Sequence, residues 1–381
     1  MGSVFTLTVH ASELSSSAYN TITKAQQLVD SEQIDSAIDH LEKFDGQRTA
    51  DKATIARILG VYYWQNDQLS EAVNQLEFAI ANKEGLPISA AWLTEKMLAD
   101  LYLNTNEYQK AKQHYQALLQ SNSSGQSTED VELRIAQSHY QLEEWKSALT
   151  VLNAYWKRHP HQSKQIAALT LALGSSLNLE LWELSIQYTK LLRDREPKQP
   201  RWWKQLARLQ VREHQYRAAM NTLSLARIQN IVLNEQELIL LSQLYARNKI
   251  PEKAAITLED VLAIGKKTKK DKLTLLKRQA AYWQQAKEWL QSAKVWGEIV
   301  KIDSSQLKYE ISMLNLAGEY RSIIQKLENQ SNLSPLLNLS LVRALYKEKR
   351  YDQAVNIARQ VHQKTNSEES KQWVDYLSQQ L

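Results

Sequence analysis

One spacing recurs along the whole chain and limits what it can fold into. A large apolar or aromatic residue is followed three positions on by a small one, and four positions further by another large one. Tyr108, Ala111 and Tyr115 carry this spacing, as do Trp145, Ala148 and Leu152, and Tyr216, Ala219 and Leu223. Ile34, Ala37 and Leu41 repeat it, with Leu69, Ala72 and Leu76, and with Tyr351, Ala354 and Ala358. Variants run from Trp182 with Ser185, Pro251 with Ala254 and Leu258, Trp289 with Ser292 and Trp296, and Tyr320 with Ile323 and Leu327. Offsets of three and four put the side chains on one helical face. The small residue lets a second helix come close, and the large ones fill the seam beside it. Successive starts lie about 31–39 residues apart, the length of a helix pair. No single pair can bury its own face, so stability has to come from stacking pairs.

The stretch before each start carries a matching half-pattern. Leu59-Gly60 and Tyr63 precede Leu69, Leu98-Ala99 and Tyr102 precede Tyr108, and Trp203, Leu206 and Ala207 precede Tyr216. Composition agrees: with 9 Gly and 6 Pro in 381 residues, the chain lacks the turn residues a β-rich protein needs. Its aromatics are 11 Trp and 17 Tyr against 3 Phe, a bias that suits half-buried seams where a ring packs and its polar edge reaches water. The expected fold is all-α, with about ten helix pairs and a final helix over Glu368–Gln380. That helix places Trp373, Val374 and Tyr376/Leu377 on one side, as a cap over the last pair. Residues Ser121–Ser127 and Gly265–Lys272 read as exposed polar loops, and residues 12–381 show no conventional domain boundary.

Chemistry is sparse in this sequence. Without cysteine there is no disulfide, thiolate nucleophile or Cys-type zinc site. There is no Gly-rich phosphate loop, no G-x-S-x-G and no His-Glu-x-x-His. His159 and His161, flanking Pro160, are the only close histidine pair, and no third ligand stands near them in sequence. No metal, cofactor or catalytic residue is therefore expected. Glu143-Glu144 and Glu368-Glu369 fall at expected helix starts, where they offset the positive end of the dipole. The run Lys266-Lys267-Thr268-Lys269-Lys270-Asp271-Lys272 lacks interleaved aromatics, so it reads as a solvated loop rather than a nucleic-acid contact. No stretch approaches the ~20 apolar residues of a membrane span.

The net charge of +5 is unevenly spread. Residues 1–190 hold about 15 Lys/Arg against 22 Asp/Glu, and the rest about 32 against 20, so an acidic half precedes a basic one. Residues Met1–Ala11 are uncharged and mostly apolar, with Val9 and Ala11 at the two positions a signal peptidase reads. They look like the second half of a secretory signal lacking its basic start; a plain N-terminal tail is the alternative.

These patterns resemble tetratricopeptide repeats, whose motif runs Trp, Leu-Gly, Tyr, then Tyr/Gly, Ala, Phe/Tyr, Ala, Pro. The resemblance implies a right-handed superhelical solenoid, in which the first helix of each pair lines a concave groove. Transferred to this sequence, that register puts Arg201, Lys204, Arg208 and Arg212 on the groove side, at spacings of three or four that form one stripe. Arg247 takes a similar place before Pro251, and Arg343 and Lys347 do so in the last pair. A basic groove of this kind suits an acidic peptide or a carboxylate terminus.

The stretch from Trp203 through Tyr216 and Glu237–Tyr245 to Ala255, and the ending Lys371–Leu377, resemble more particularly the periplasmic tetratricopeptide proteins associated with TonB–ExbB–ExbD energy transduction. This implies an exported, non-catalytic accessory that docks on TonB complex components and assists nutrient uptake. A cytoplasmic adaptor or assembly factor for another protein complex is the competing reading.

Overall fold

The fold is described from a computed structural model, which describes residues 14–121, 125–159 and 165–380. Among these residues the regular structure is entirely helical. The described residues form ten helix pairs: α1 (Ser16–Asp30) with α2 (Ile34–Glu42), α3 (Thr49–Gln65) with α4 (Leu69–Ala81), α5 (Ile88–Asn104) with α6 (Tyr108–Gln120), α7 (Glu129–Gln141) with α8 (Trp145–Arg158), and α9 (Gln165–Asn178) with α10 (Trp182–Arg195). The series continues with α11 (Pro200–Arg212) and α12 (Tyr216–Ile228), α13 (Glu235–Arg247) and α14 (Pro251–Ala263), α15 (Lys269–Gln285) and α16 (Trp289–Ile302), α17 (Leu307–Ala317) and α18 (Tyr320–Leu327), and α19 (Pro335–Lys347) and α20 (Tyr351–Thr365). A last helix, α21 (Glu368–Ser378), follows.

Every start of the recurring spacing is the first residue of a second helix. The residue three positions on is buried in all ten pairs, from Ala37 through Ser185 and Ile323 to Ala354. Tight contact is the reason. At Gly60 of α3 a built Cβ would stand 2.6 Å from the Leu76 side chain of α4. Leu76 itself is fully buried, and its truncation to alanine would cost about 2–5 kcal/mol.

The turns inside the pairs share one geometry, which explains how so few glycines suffice. Each has a residue in the left-handed region: Glu32, Asp67, Asn106, Glu143, Glu180, His214, Lys249, Lys287, Gly318 and Lys349. Around Asp67 the amide of Gln68 donates to Tyr63 O at 2.8 Å, and that of Asp67 to Trp64 O at 3.2 Å. These two bonds close the end of α3 in a Schellman arrangement. The carbonyl of Gln68 then accepts from Ala72 at 3.0 Å, so α4 begins with no intervening loop. Only one of the ten positions uses glycine.

The chain divides into two compact units, Met1–Arg195 and Glu196–Leu381. In the first unit, Ile58, Leu76, Leu98, Leu101 and Tyr115 belong to one continuous core. In the second, one core gathers around Trp203, Leu223, Leu241 and Leu258, and another around Ile299, Ile323, Val342 and Leu377. Tyrosines of first helices reach back to the preceding second helix: Tyr63 Oη donates to Glu42, and Tyr102 Oη to Glu77. Where α11 has Gln210 at the matching place, its buried amide oxygen accepts from Thr222 Oγ1 at 2.7 Å. The final helix packs on α20, burying Ser370 and Leu377. Tyr376 Oη meets Tyr346 Oη at 2.8 Å, and the Trp373 ring lies 5.8 Å from Tyr346, so the expected cap is present.

The segment read as a loop to Lys272 is shorter than that. Thr268 Oγ1 caps α15 by accepting from the Asp271 amide at 3.1 Å, which draws Lys269–Lys272 into the helix. Lys267 is not solvated either: its ammonium is buried between Glu235 and Ile264 O, each at 2.8 Å. The Met1–Ala11 segment, and His161 with Pro160, lie outside the described residues.

Candidate functional site

First helices crowd together more than second helices do. In the first unit α1 approaches α3 and α7 approaches α9; in the second, α17 approaches α19. No two second helices come as close among the described residues. We call the first-helix side of each unit its inner face; a partner chain laid along it would meet several repeats at once.

In the second unit this face carries the expected cations, but they are not equally available. Arg201 is exposed, 3.1 Å from Glu196, with its guanidinium 4.1 Å from the Trp202 ring. Lys204 and Arg208 both turn to the carboxylate of Glu237 on α13, at 3.3 and 3.2 Å. Glu237 is only 3% exposed. It also closes a capping box: its amide donates to Asn234 Oδ1 at 3.1 Å, and its Oε2 accepts from the Asn234 amide at 2.9 Å. Arg212 ends α11 exposed. Arg247 ends α13 exposed, stacked 3.7 Å over the Tyr216 ring. Arg343 and Lys347 are exposed on α19, with Lys347 Nζ 5.8 Å from the Tyr346 ring. The four α11 cations thus form one stripe, joined to α13 through Glu237, while Arg343 and Lys347 form a separate pair three first helices further on.

The inner face of the first unit was not anticipated from sequence. Lys96 on α5 bridges Asp100 at 2.7 Å and Asp130 of α7 at 3.2 Å. Burial alone would lower the Lys96 pKa, but hydrogen bonds and charge from Asp100 and Asp130 outweigh it and raise it. Asp100 also accepts from Tyr115 Oη, whose own ionisation is pushed far up by burial and by that carboxylate. Arg134 of α7 lies 4.0 Å from Asp100 and donates to Gln137 at 3.0 Å. Arg57 of α3 differs from all of these. It is 9% exposed, its Nε has no hydrogen-bond partner, and no described carboxylate stands within ion-pair distance. Burial holds its pKa below the usual arginine value.

Behind this face, Glu144 at the start of α8 accepts from Lys112 at 2.9 Å and meets His139 at 2.5 Å. Those two hydrogen bonds, Lys112 first, depress its pKa. A cavity of about 320 Å³ opens beside the 3₁₀ turn Lys83–Gly85 and is lined by Leu86, Ile88, Trp92, Glu95 and Leu118. Among the described residues no group of three His, Asp or Glu could hold a metal ion, and no helix is long and apolar enough to cross a membrane.

Residues 96–163, from the middle of α5 to just past α8, match the tetratricopeptide repeat family model. Residues 96–163 carry tetratricopeptide repeat sequence. The chain is similar to the solved structure of a tetratricopeptide repeat protein from Parabacteroides merdae, at 17% identity over 70% of this chain and 99% of that one, with a TM-score of 0.42. It is also similar to MamA from Desulfovibrio magneticus RS-1, at 18% identity over 46% of this chain and 94% of that one, with a TM-score of 0.38. No curated protein matches the sequence.

The tetratricopeptide register relates the two inner faces. Arg57, Lys96 and Lys204 each stand two residues before the leucine of a Leu-Gly or Leu-Ala step. That shared position was the signal in sequence that would have found Arg57 and Lys96. The acidic balance of residues 1–190 masks it in the sequence.

Proposed function

We propose that this tetratricopeptide repeat chain is a non-catalytic scaffold that holds a protein partner along its first-helix face. The observation that carries this is the row of exposed cations on first helices, Arg247, Arg343 and Lys347, none of them committed to a buried carboxylate. Such residues suit an acidic segment of a partner. We place the scaffold in the periplasm, as an accessory of TonB-dependent energy transduction and nutrient uptake. That placement is supported by the residues around Trp203–Ala255 and Lys371–Leu377 and by the signal-like Met1–Ala11.

Crosslinking in intact cells, followed by capture of the chain and identification of what comes with it, tests the reading. TonB, ExbB or ExbD should be recovered, and the chain should fractionate with the periplasm. Recovery of a cytoplasmic assembly with an uncleaved Met1 on the chain would replace the periplasmic role with that of a cytoplasmic adaptor. Within the second unit, the variant Arg343→Glu/Lys347→Glu should weaken capture at least about tenfold, the scale of a lost pair of charge-assisted contacts. Unchanged capture by it and by Arg247→Glu would remove the groove from the account.

A further inference from the structure

In this stack, a cation two residues before the seam leucine is matched by an acid on the next first helix. Lys96 of α5 takes Asp130 of α7, and Lys204 of α11 takes Glu237 of α13. Asp130 stands six residues before Ala136, the buried small residue of its helix, and Glu237 five before Ser242. On α5, the helix after Arg57, the same two offsets from Ala99 fall on Leu93 and Thr94. Leu93 has no charge, and the Thr94 hydroxyl is buried and committed to Ala90 O at 2.7 Å. Arg57 therefore has the slot but not the acid. It is nine-tenths buried and its Nε has no hydrogen-bond partner, an arrangement that costs stability in the free chain.

The surroundings define what would fit. Leu93 is 39% exposed, and Tyr19, at the same register on α1, is 45% exposed, so the first helices before and after α3 offer apolar surface at that register. The first unit as a whole holds more Asp and Glu than Lys and Arg, so it disfavours a strongly acidic chain. A guanidinium takes a carboxylate through two parallel hydrogen bonds, which gives geometry as well as attraction.

We propose that Arg57 is an anchor for a protein partner: it receives one carboxylate, from an Asp or Glu set between apolar residues in an otherwise neutral or basic segment. The partner supplies the acid that Asp130 and Glu237 supply elsewhere. This rests on the scaffold reading and adds to it a site in the first unit with a defined ligand chemistry.

The test uses the full chain as wild type, Arg57→Met and Arg57→Lys, against an array of neutral-to-basic nonapeptides. Each peptide carries a central Glu between leucines and has twins with central Gln and with central phosphoserine. The wild type should retain the Glu peptides about tenfold or more over their Gln twins. Arg57→Met should erase that preference, and Arg57→Lys should keep part of it. Arg57→Met should also raise the Tm of the free chain, because it removes a buried charge that has no partner. Equal retention of Glu and Gln peptides by the wild type overturns the proposal, and so does a lowered Tm in Arg57→Met, which would give the arginine an internal structural role. Retention of the phosphoserine twins alone overturns the choice of carboxylate. If a client crosslinks equally to wild type and Arg57→Met, the scaffold stands and the anchor falls; if the wild type takes neither peptide nor client, both fall.

Discussion

Removing Lys204 and Arg208 together should destabilise the chain, even though both were expected to serve a partner. Their common neighbour, Glu237, is 3% exposed, so its carboxylate cannot turn to water when the cations go. The two cations are not equivalent: the Lys204 side chain is 25% exposed and that of Arg208 59%. Arg208→Met alone should therefore cost no more than about 1 kcal/mol, as an exposed ion pair does. The double variant Lys204→Met/Arg208→Met leaves a buried carboxylate with only its capping-box bonds, and should cost about 3–5 kcal/mol. Adding Glu237→Gln removes the stranded charge while leaving an oxygen to accept from the Asn234 amide. The triple variant should therefore recover to within about 1 kcal/mol of wild type. Urea unfolding followed by circular dichroism at pH 7 reads all four proteins, with the m-value checked for constancy. A double variant within about 1 kcal/mol of wild type, or a triple variant no better than the double, would refute the idea that Glu237 is what holds these two cations.

Three further outcomes follow from other parts of the fold. Gly85→Ala should destabilise by about 1–3 kcal/mol in the same assay, because its Cβ would stand 2.8 Å from Ala50 Cα, a backbone atom that cannot swing aside. Lys249→Gly should stabilise by about 0.5–1 kcal/mol, since Lys249 sits at φ 60° and glycine holds that conformation without the Cβ penalty. Stability should also fall as pH rises from about 10 to 12: burial, then nearby Asp30 or Glu42, pushes the Tyr62 and Tyr63 pKa values up to about 12, so above pH 10 the unfolded chain loses protons that the folded chain keeps. Urea midpoints that stay constant across that range would contradict it.

The fold was legible because its information is local and repeated. The starts Tyr108, Trp145 and Tyr216 begin second helices because offsets of three and four can bury together only on a helix, and Ala111, Ala148 and Ala219 are small because two helices touch there. The end of the Lys266–Lys272 loop is hidden in the sequence because the cap at Thr268 is one hydrogen bond, outweighed by the density of lysines around it. The candidate site was legible only as a register. Sequence placed Lys204 and Arg208 on the inner face, but their tie to Glu237 runs between neighbouring repeats, across about 30 residues of chain. The empty counterpart at Arg57 follows the same rule, since an unmet pairing shows only when the met ones are known.

The ten turns inside the pairs each hold a residue whose backbone is set and which is exposed to solvent. In the first unit those residues are Glu32, Asp67, Asn106, Glu143 and Glu180; in the second they are His214, Lys249, Lys287, Gly318 and Lys349. Each unit thus has a rim whose sign can be rewritten one residue at a time, with no change to a seam or an inner face. Selection could tune what long-range field each unit presents, and so how it is oriented on approach to a charged surface, independently of what the inner face grips.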